Sequence, residues 1–219
     1  MERPAVPSSA AEPVQDTEGF AAAIKEAEAW TAAAHEARRR LEALDKATVA
    51  ISQELGLERV LQIIVDSVRP LVGARYAALG IPDDHGSMER FITSGMSDLE
   101  RAQMGSPPQG RGLLGISLRE STTVRVDDIQ TDPRSAGFPL GHPMMRTLLS
   151  VPVKVEGRAI GNLYLTDRID GRPFDDDDER LVESFARHAG LGIHNARMHE
   201  ELRQLAVLQE RERIAQDLH

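Results

Sequence analysis

The chain contains no cysteine. Disulfides, Cys-ligated zinc, iron–sulfur clusters, thiolate nucleophiles and cofactors attached through a thioether are therefore excluded. It also lacks an apolar run near the roughly 20 residues that a membrane-spanning helix needs. The N-terminus has neither the basic nor the apolar region of a signal peptide, so the chain reads as cytoplasmic, with no membrane span. Positive charge is scarce: 26 Lys and Arg stand against 35 Asp and Glu, a net charge of −9. Such a surface repels nucleic-acid phosphates and anionic lipid, so nucleic acid is not an expected partner. What is present is ordinary globular material, 41% hydrophobic and 28% charged, in a length that suits one domain with long appendages or two small domains.

Pattern along the chain divides it into four parts. Residues 1–18 hold Pro4, Pro7 and Pro13 among Ser and Ala without apolar periodicity, a composition that cannot offset its own ordering entropy and is expected to be a disordered tail. Over 19–45, Phe20, Ile24, Ala27, Trp30, Ala34, Ala37, Leu41 and Leu44 recur mostly three or four residues apart. This predicts a long helix with one apolar stripe, much of it alanine, which a parallel partner in a homodimer would bury. A second helical pattern, Leu57 to Leu71, ends near Pro70 and Gly73. Strands follow at Tyr76–Ile81 and Met88–Thr93, a short helix at Leu113–Arg119, a strand at Thr122–Val126, and then an irregular stretch from Asp127 to Met144. Leu148–Val155 and Ala159–Thr166 flank Glu156-Gly157-Arg158, and their unbroken apolar character predicts two central strands. Asp175-Asp176-Asp177-Asp178-Glu179 precedes Leu181, Val182, Phe185, Ala189 and Ile193. Carboxylates there suit a helix N-terminus better than a calcium loop, whose ligand spacing is absent. That helix carries its stripe through Met198, Leu202, Leu205, Leu208 and Ile214 to Leu218. The order predicts an α+β domain, an antiparallel central sheet with helices on one side, flanked by long N- and C-terminal helices.

Six blocks carry a resemblance: Ala74-Arg75-Tyr76, Gly112-Leu113-Leu114-Gly115, Gly137-Phe138-Pro139, His142-Pro143-Met144-Met145-Arg146-Thr147, Val151-Pro152-Val153 and Gly161-Asn162-Leu163-Tyr164-Leu165-Thr166. In this order they resemble the GAF sensor domain of actinobacterial-type two-component sensor histidine kinases, over about 46–200. Residues 201–219 are then a linker helix and the start of the dimerisation region. Glu210-Arg211-Glu212-Arg213-Ile214-Ala215-Gln216-Asp217-Leu218-His219 resembles the phosphoacceptor box of the kinases that pair with helix-turn-helix response regulators. The resemblance implies a small-molecule-sensing input module that relays ligand state through a dimeric helical linker to His219. It implies as partners a kinase ATP-binding domain and a response regulator. That ATP-binding domain is not in these residues, so no catalysis is expected of this chain alone. A stand-alone small-molecule-binding protein without kinase output is the alternative.

The resemblance also implies a pocket on the sheet face opposite the terminal helices, lidded by Asp127–Met144. Covalent bilin and methionine sulfoxide reduction both need a thiol, which the chain lacks. Cyclic nucleotide-binding relatives carry an Asn-Lys pair, then Phe, three residues and Asp-Glu; Asp167-Arg168, Phe174 and Asp178-Glu179 match imperfectly, and Arg168 with Asp178 is expected to be a structural brace. Haem-containing gas-sensor kinases carry a His-Pro-x-Met-Arg-Thr segment and a Leu-Tyr-Leu-Thr strand. By resemblance His142 would be the proximal ligand and Tyr164 the distal hydrogen-bond donor of haem b, binding dioxygen, nitric oxide or carbon monoxide; another small ligand, or none, is the competing reading. His35, His85, His188, His194 and His199 are expected to be ordinary surface or helix residues, and no metal other than haem iron is indicated.

Overall fold

A computed structural model describes residues 17–83, 88–103, 112–138 and 141–217. The expected tail up to residue 16, the turn at His85, Gly110-Arg111 and the phosphoacceptor candidate His219 lie outside the described residues. Among the described residues no helix is long and apolar enough to cross a membrane.

Helix α1 (Thr17–Gln53) begins inside the segment expected to be tail and passes from one compact unit, Met1–Glu42, into the other, Ala43–His219. In the first unit its apolar stripe meets solvent, with Phe20 and Trp30 each 69% exposed. Ala-rich composition and surface pairs such as Arg38–Glu42 at 2.8 Å support it locally, each pair adding only about 0.3–0.5 kcal/mol.

The second unit is built on a five-stranded antiparallel sheet of order β2-β1-β5-β4-β3, from β1 (Ala74–Pro82), β2 (Met88–Ser94), β3 (Val124–Val126), β4 (Leu148–Val155) and β5 (Arg158–Arg168). Successive side chains on a strand face opposite sides. Leu163 and Leu165 of β5 and Leu149, Val151 and Val153 of β4 join one cluster, with the end of α1 (Ala47, Ile51), α2 (Leu57–Leu71) and α5 (Asp176–Asp217). Tyr164 and Leu148 join a second cluster on the other face, with Ala78 of β1 and Leu113 of α4 (Leu113–Glu120). Both faces are covered, which is why β4 and β5 read as continuous apolar runs. Helices α2 and α5 and the end of α1 pack on one face, as the pattern predicts; short α4 lies on the other, so helices are not confined to one side.

The β4–β5 hairpin closes through Glu156 and Gly157, with φ of 49° and 81°. Positive φ at both central residues is the two-residue turn whose twist matches a hairpin. Strand β3 starts at Val124 rather than Thr122 because the preceding threonines have other partners. The Thr122 carbonyl lies 2.7 Å from the Ser117 hydroxyl, and Thr123 Oγ1 donates to Glu183 Oε1 of α5 at 2.6 Å. A further short helix, α3 (Asp98–Gln103), was not legible as a periodic segment; Ser97 caps it, exchanging bonds with Glu100, whose carboxylate accepts the Ser97 N–H at 2.8 Å.

The acidic run starts α5. Asp175 Oδ1 accepts the N–H groups of Asp177 and Asp178 at 3.0 Å each, and Asp178 Oδ2 accepts the Asp175 N–H at 3.2 Å. This reciprocal arrangement satisfies the amides that open a helix. From there Val182, Phe185, Ala189, Ile193 and Ala196 are buried, whereas Leu202, Leu205 and Leu208 are exposed.

Gly190 lets α5 lie against β4: a Cβ there would sit 2.5 Å from the Lys154 carbonyl oxygen. Backbone cannot step aside as a flexible side chain can. Gly190→Val is expected to lower stability by at least about 1–3 kcal/mol through overpacking, seen as a lower urea midpoint at unchanged slope.

Candidate functional site

Between the second face of the sheet and the segment that joins β3 to β4 lies a cavity of about 160 Å³. Strands supply its floor through Ala78, Leu148, Tyr164 and Thr166, α4 closes one side with Leu113 and Leu114, and Ile129, Phe138, His142 and Met145 form the lid. Alternation on the strands dictates this: Tyr164 and Thr166 face the cavity because Leu163 and Leu165 face the helices.

Most polar groups in the wall are already committed. The Tyr164 hydroxyl donates to the Leu114 carbonyl at 2.6 Å. Burial pushes its phenol above the ordinary range, so it stays protonated and remains a donor. Thr166 Oγ1 donates to Met145 Sδ at 3.2 Å. Tyr76 lies 3.5 Å from Glu100 Oε1, and burial, then the Glu100 charge, raise its pKa as well. His142 is half-buried, stacked on Phe138 with ring centroids 4.9 Å apart and planes at 26°. Its Nδ1 lies 2.7 Å from the Pro143 carbonyl oxygen. A carbonyl only accepts, so Nδ1 carries the proton and, in the neutral ring, Nε2 is left with its lone pair. Among the described residues no Lys or Arg lines the cavity.

The structure thus brings His142 and Tyr164 to one cavity. A neutral His142 Nε2 has the chemistry of an axial haem ligand, but the space is wrong. Pockets for drug-sized ligands run to roughly 300–1,000 Å³, and a porphyrin is larger than most such ligands. The Tyr164 proton is moreover already given to Leu114. Haem does not fit this cavity as it stands.

Arg168 and Asp178 stand away from the cavity, at the end of β5 and the start of α5, where they form an ion pair with Asp178 fully buried and Arg168 7% exposed. Arg168 Nη2 also reaches Asp170 Oδ2 at 2.8 Å. Of the histidines expected to be bland, His188 places Nδ1 2.9 Å from the Ser184 carbonyl on its own helix, and the described residues hold no cluster suited to a metal ion.

Two features escaped sequence reasoning. Asn162, Ser117 and Ser150 are all fully buried; Asn162 Nδ2 donates to Ser150 Oγ at 2.7 Å, and its Oδ1 lies 2.8 Å from Ser117 Oγ, stapling α4 to β4 and β5. The signal was an asparagine inside an apolar strand, since a buried amide demands partners. The second is Asp167, at φ 52°. Its Oδ1 accepts the N–H groups of Arg146 and Thr147 at 2.8 and 3.0 Å, tying the end of the lid to β5.

Arg168→Ala would leave the Asp178 carboxylate buried without its guanidinium. The expected loss is about 3–5 kcal/mol by chemical unfolding, while exposed Arg172→Ala stays within about 0.5 kcal/mol. In the lid, the Arg134 guanidinium and backbone N–H hold the Asp132 carboxyl down at about 2, against an ordinary 3.8. A depressed carboxylate contributes stability that is fully present above the unfolded value and is lost as pH falls through the folded one. Carboxyl NMR should find Asp132 titrating near 2, and Arg134→Ala should return it toward the ordinary value.

A family model described as GAF domain matches residues 54–194. Dual 3′,5′-cyclic-AMP and -GMP phosphodiesterase 11A of Takifugu rubripes is 24% identical over 200 residues, 83% of this chain and 22% of that protein. Dual 3′,5′-cyclic-AMP and -GMP phosphodiesterase 11 of Drosophila melanogaster is 25% identical over 191 residues, 81% and 13% of the two. The chain therefore spans about a fifth or less of the length of these relatives. The GAF domain from a phosphoenolpyruvate-protein phosphotransferase of Coxiella burnetii superposes with a TM-score of 0.64 at 23% identity, covering 74% of this chain and 96% of that one. Free methionine-R-sulfoxide reductase from Neisseria meningitidis gives 0.60 at 19%, covering 73% and 90%. These superpositions show a shared fold. A five-stranded antiparallel sheet in this setting, matched by the family model across its whole extent, makes this chain a member of the GAF domain family.

Proposed function

We propose that the chain is the input module of a cytoplasmic two-component sensor histidine kinase, in which a small molecule bound in the cavity biases a dimeric helical output ending at His219. The observation that carries this reading is the continuity of α5. One helix is capped at Asp175, buried against the sheet as far as Ala196, and runs on to Asp217, two residues short of the phosphoacceptor candidate. A rotation or shift of its buried half is passed to its exposed half without a hinge.

Ligand state reaches that helix through the end of β5. Asp167 holds the lid at Arg146 and Thr147, and the next residue, Arg168, grips Asp178 at the start of α5. A ligand that favours one lid position then favours one helix position, and it shifts the output only by its differential affinity for the two states. In the whole protein an ATP-binding domain would phosphorylate His219 and a response regulator would take the phosphoryl group. Cyclic nucleotides, named in the relatives, suit this cavity poorly: no cation among the described wall residues meets a phosphate, and Arg168, at the position of the family's basic residue, serves the brace.

The exposed stripes on α1 and on α5 beyond Ala196 are the surfaces a second copy of the chain would bury. Light scattering at micromolar concentration should give twice the monomer mass, and Trp30→Glu should shift the population toward monomer. Emission of Trp30, the single tryptophan, should move to the blue on dimerisation. In the product of the reading frame that contains this chain, ATP labelling should place acid-labile phosphate on His219, and His219→Gln should abolish it. An unlabelled His219 in a product that carries an ATP-binding domain would overturn the phosphoacceptor assignment, and a reading frame that encodes no such domain would leave a stand-alone small-molecule-binding protein.

A further inference from the structure

We infer that the cavity takes an uncharged molecule of one aromatic ring with a single hydroxyl, a phenol-type ligand whose proton is accepted by His142 Nε2; this rests on the sensory reading above and names the class of its ligand.

Size sets the first limit. The cavity is about 160 Å³, and an apolar cavity of about 150 Å³ in another protein holds benzene. A space of this size suits a single ring. Shape and polarisability set the second. Both tyrosines of the chain and two of its five phenylalanines line this one cavity. They form two aromatic walls: Phe138 stacked on His142, and Phe91 tilted at 37° to Tyr164 with centroids 6.2 Å apart. Rings offset or tilted against such walls gain more than area burial alone supplies.

Charge sets the third limit. Among the described residues none of the cavity wall is Lys, Arg, Asp or Glu. A carboxylate, phosphate or ammonium would be desolvated there with no counter-charge.

Hydrogen-bond accounting selects the hydroxyl. Tyr164 donates to Leu114, Thr166 to Met145, and Tyr76 faces Glu100. His142 Nδ1 is spent on the Pro143 carbonyl. In the neutral ring the remaining nitrogen, Nε2, is an acceptor, while the Ser135 hydroxyl accepts the Gly137 N–H at 3.3 Å and keeps its own proton, so a ligand hydroxyl, at once donor and acceptor, suits this wall. His142 sits in the lid, so a ligand bonded to it is bonded to the segment that Asp167 ties to β5.

Calorimetric titration of the chain with phenol, toluene, benzoate, cyclic GMP and haemin tests the inference. Phenol should bind about tenfold more tightly than toluene, the worth of one hydrogen bond, and benzoate should not bind. His142→Phe keeps a stacked ring and removes the acceptor. It should erase the preference for phenol while toluene still binds. Equal affinity of the wild-type chain for phenol and toluene, or binding of benzoate, overturns the ligand class without needing the variant. Cyclic GMP or haemin binding where phenol does not would overturn it and leave the sensory reading standing. If no probe binds, the inference falls, and the sensory reading is judged separately by labelling of His219.

Discussion

The last two residues of β5 connect the working parts of this domain. Asp167 adopts a left-handed backbone and turns its carboxylate onto the N–H groups of Arg146 and Thr147, where the lid becomes β4. Arg168 turns to the opposite side and grips Asp178, the same carboxylate that receives the Asp175 N–H at the start of α5. Lid, sheet and α5 therefore meet within a few residues. A buried ion pair contributes little net stability compared with apolar packing, but removing one partner is expensive. What the pair supplies is position: it ties the start of α5 to the end of β5.

The two faces of the sheet do different work. On one, α2, α5 and the end of α1 pack aliphatic side chains and Phe185 against Leu149, Leu163 and Leu165, and the closeness at Gly190 and Gly192 leaves no slack. On the other, α4 is held by a buried polar staple, Asn162 with Ser117 and Ser150, and by the Tyr164 hydroxyl on Leu114. Directional bonds there fix α4 in place at one side of the cavity. A rigid face for the helices and a hollow face under a loop are what a domain needs if ligand state is to move one helix rather than loosen everything.

Proteins similar to this chain include a free methionine-R-sulfoxide reductase and much longer cyclic-nucleotide phosphodiesterases. Fold alone therefore does not assign activity. This chain has no thiol for sulfoxide chemistry, no Lys or Arg among the described cavity residues to meet a phosphate, and a cavity that as it stands is smaller than a porphyrin needs. What remains is a site that binds and a helix that leads away from it.

Much of this was legible in the sequence, for local reasons. Period-3.6 apolar patterns placed α2 and α5, because each must bury one face, and unbroken apolar runs placed the central hairpin, because both of its faces are covered. The acidic run marked a helix start because free amides there favour carboxylates. His142, Tyr164, Arg168 and Asp178 could be named by resemblance. Only the tertiary structure decided that His142 and Tyr164 share a cavity, how large it is, and that the Tyr164 proton is spent on α4. It also decided that Asp167 fastens the lid and that Asn162 needs two serines from other elements. Side-chain periodicity is a property of neighbours along the chain, whereas cavity volume and hydrogen-bond partners arise between residues far apart in sequence, 60 positions in the bond of Thr123 to Glu183, and no local pattern records which of them will meet.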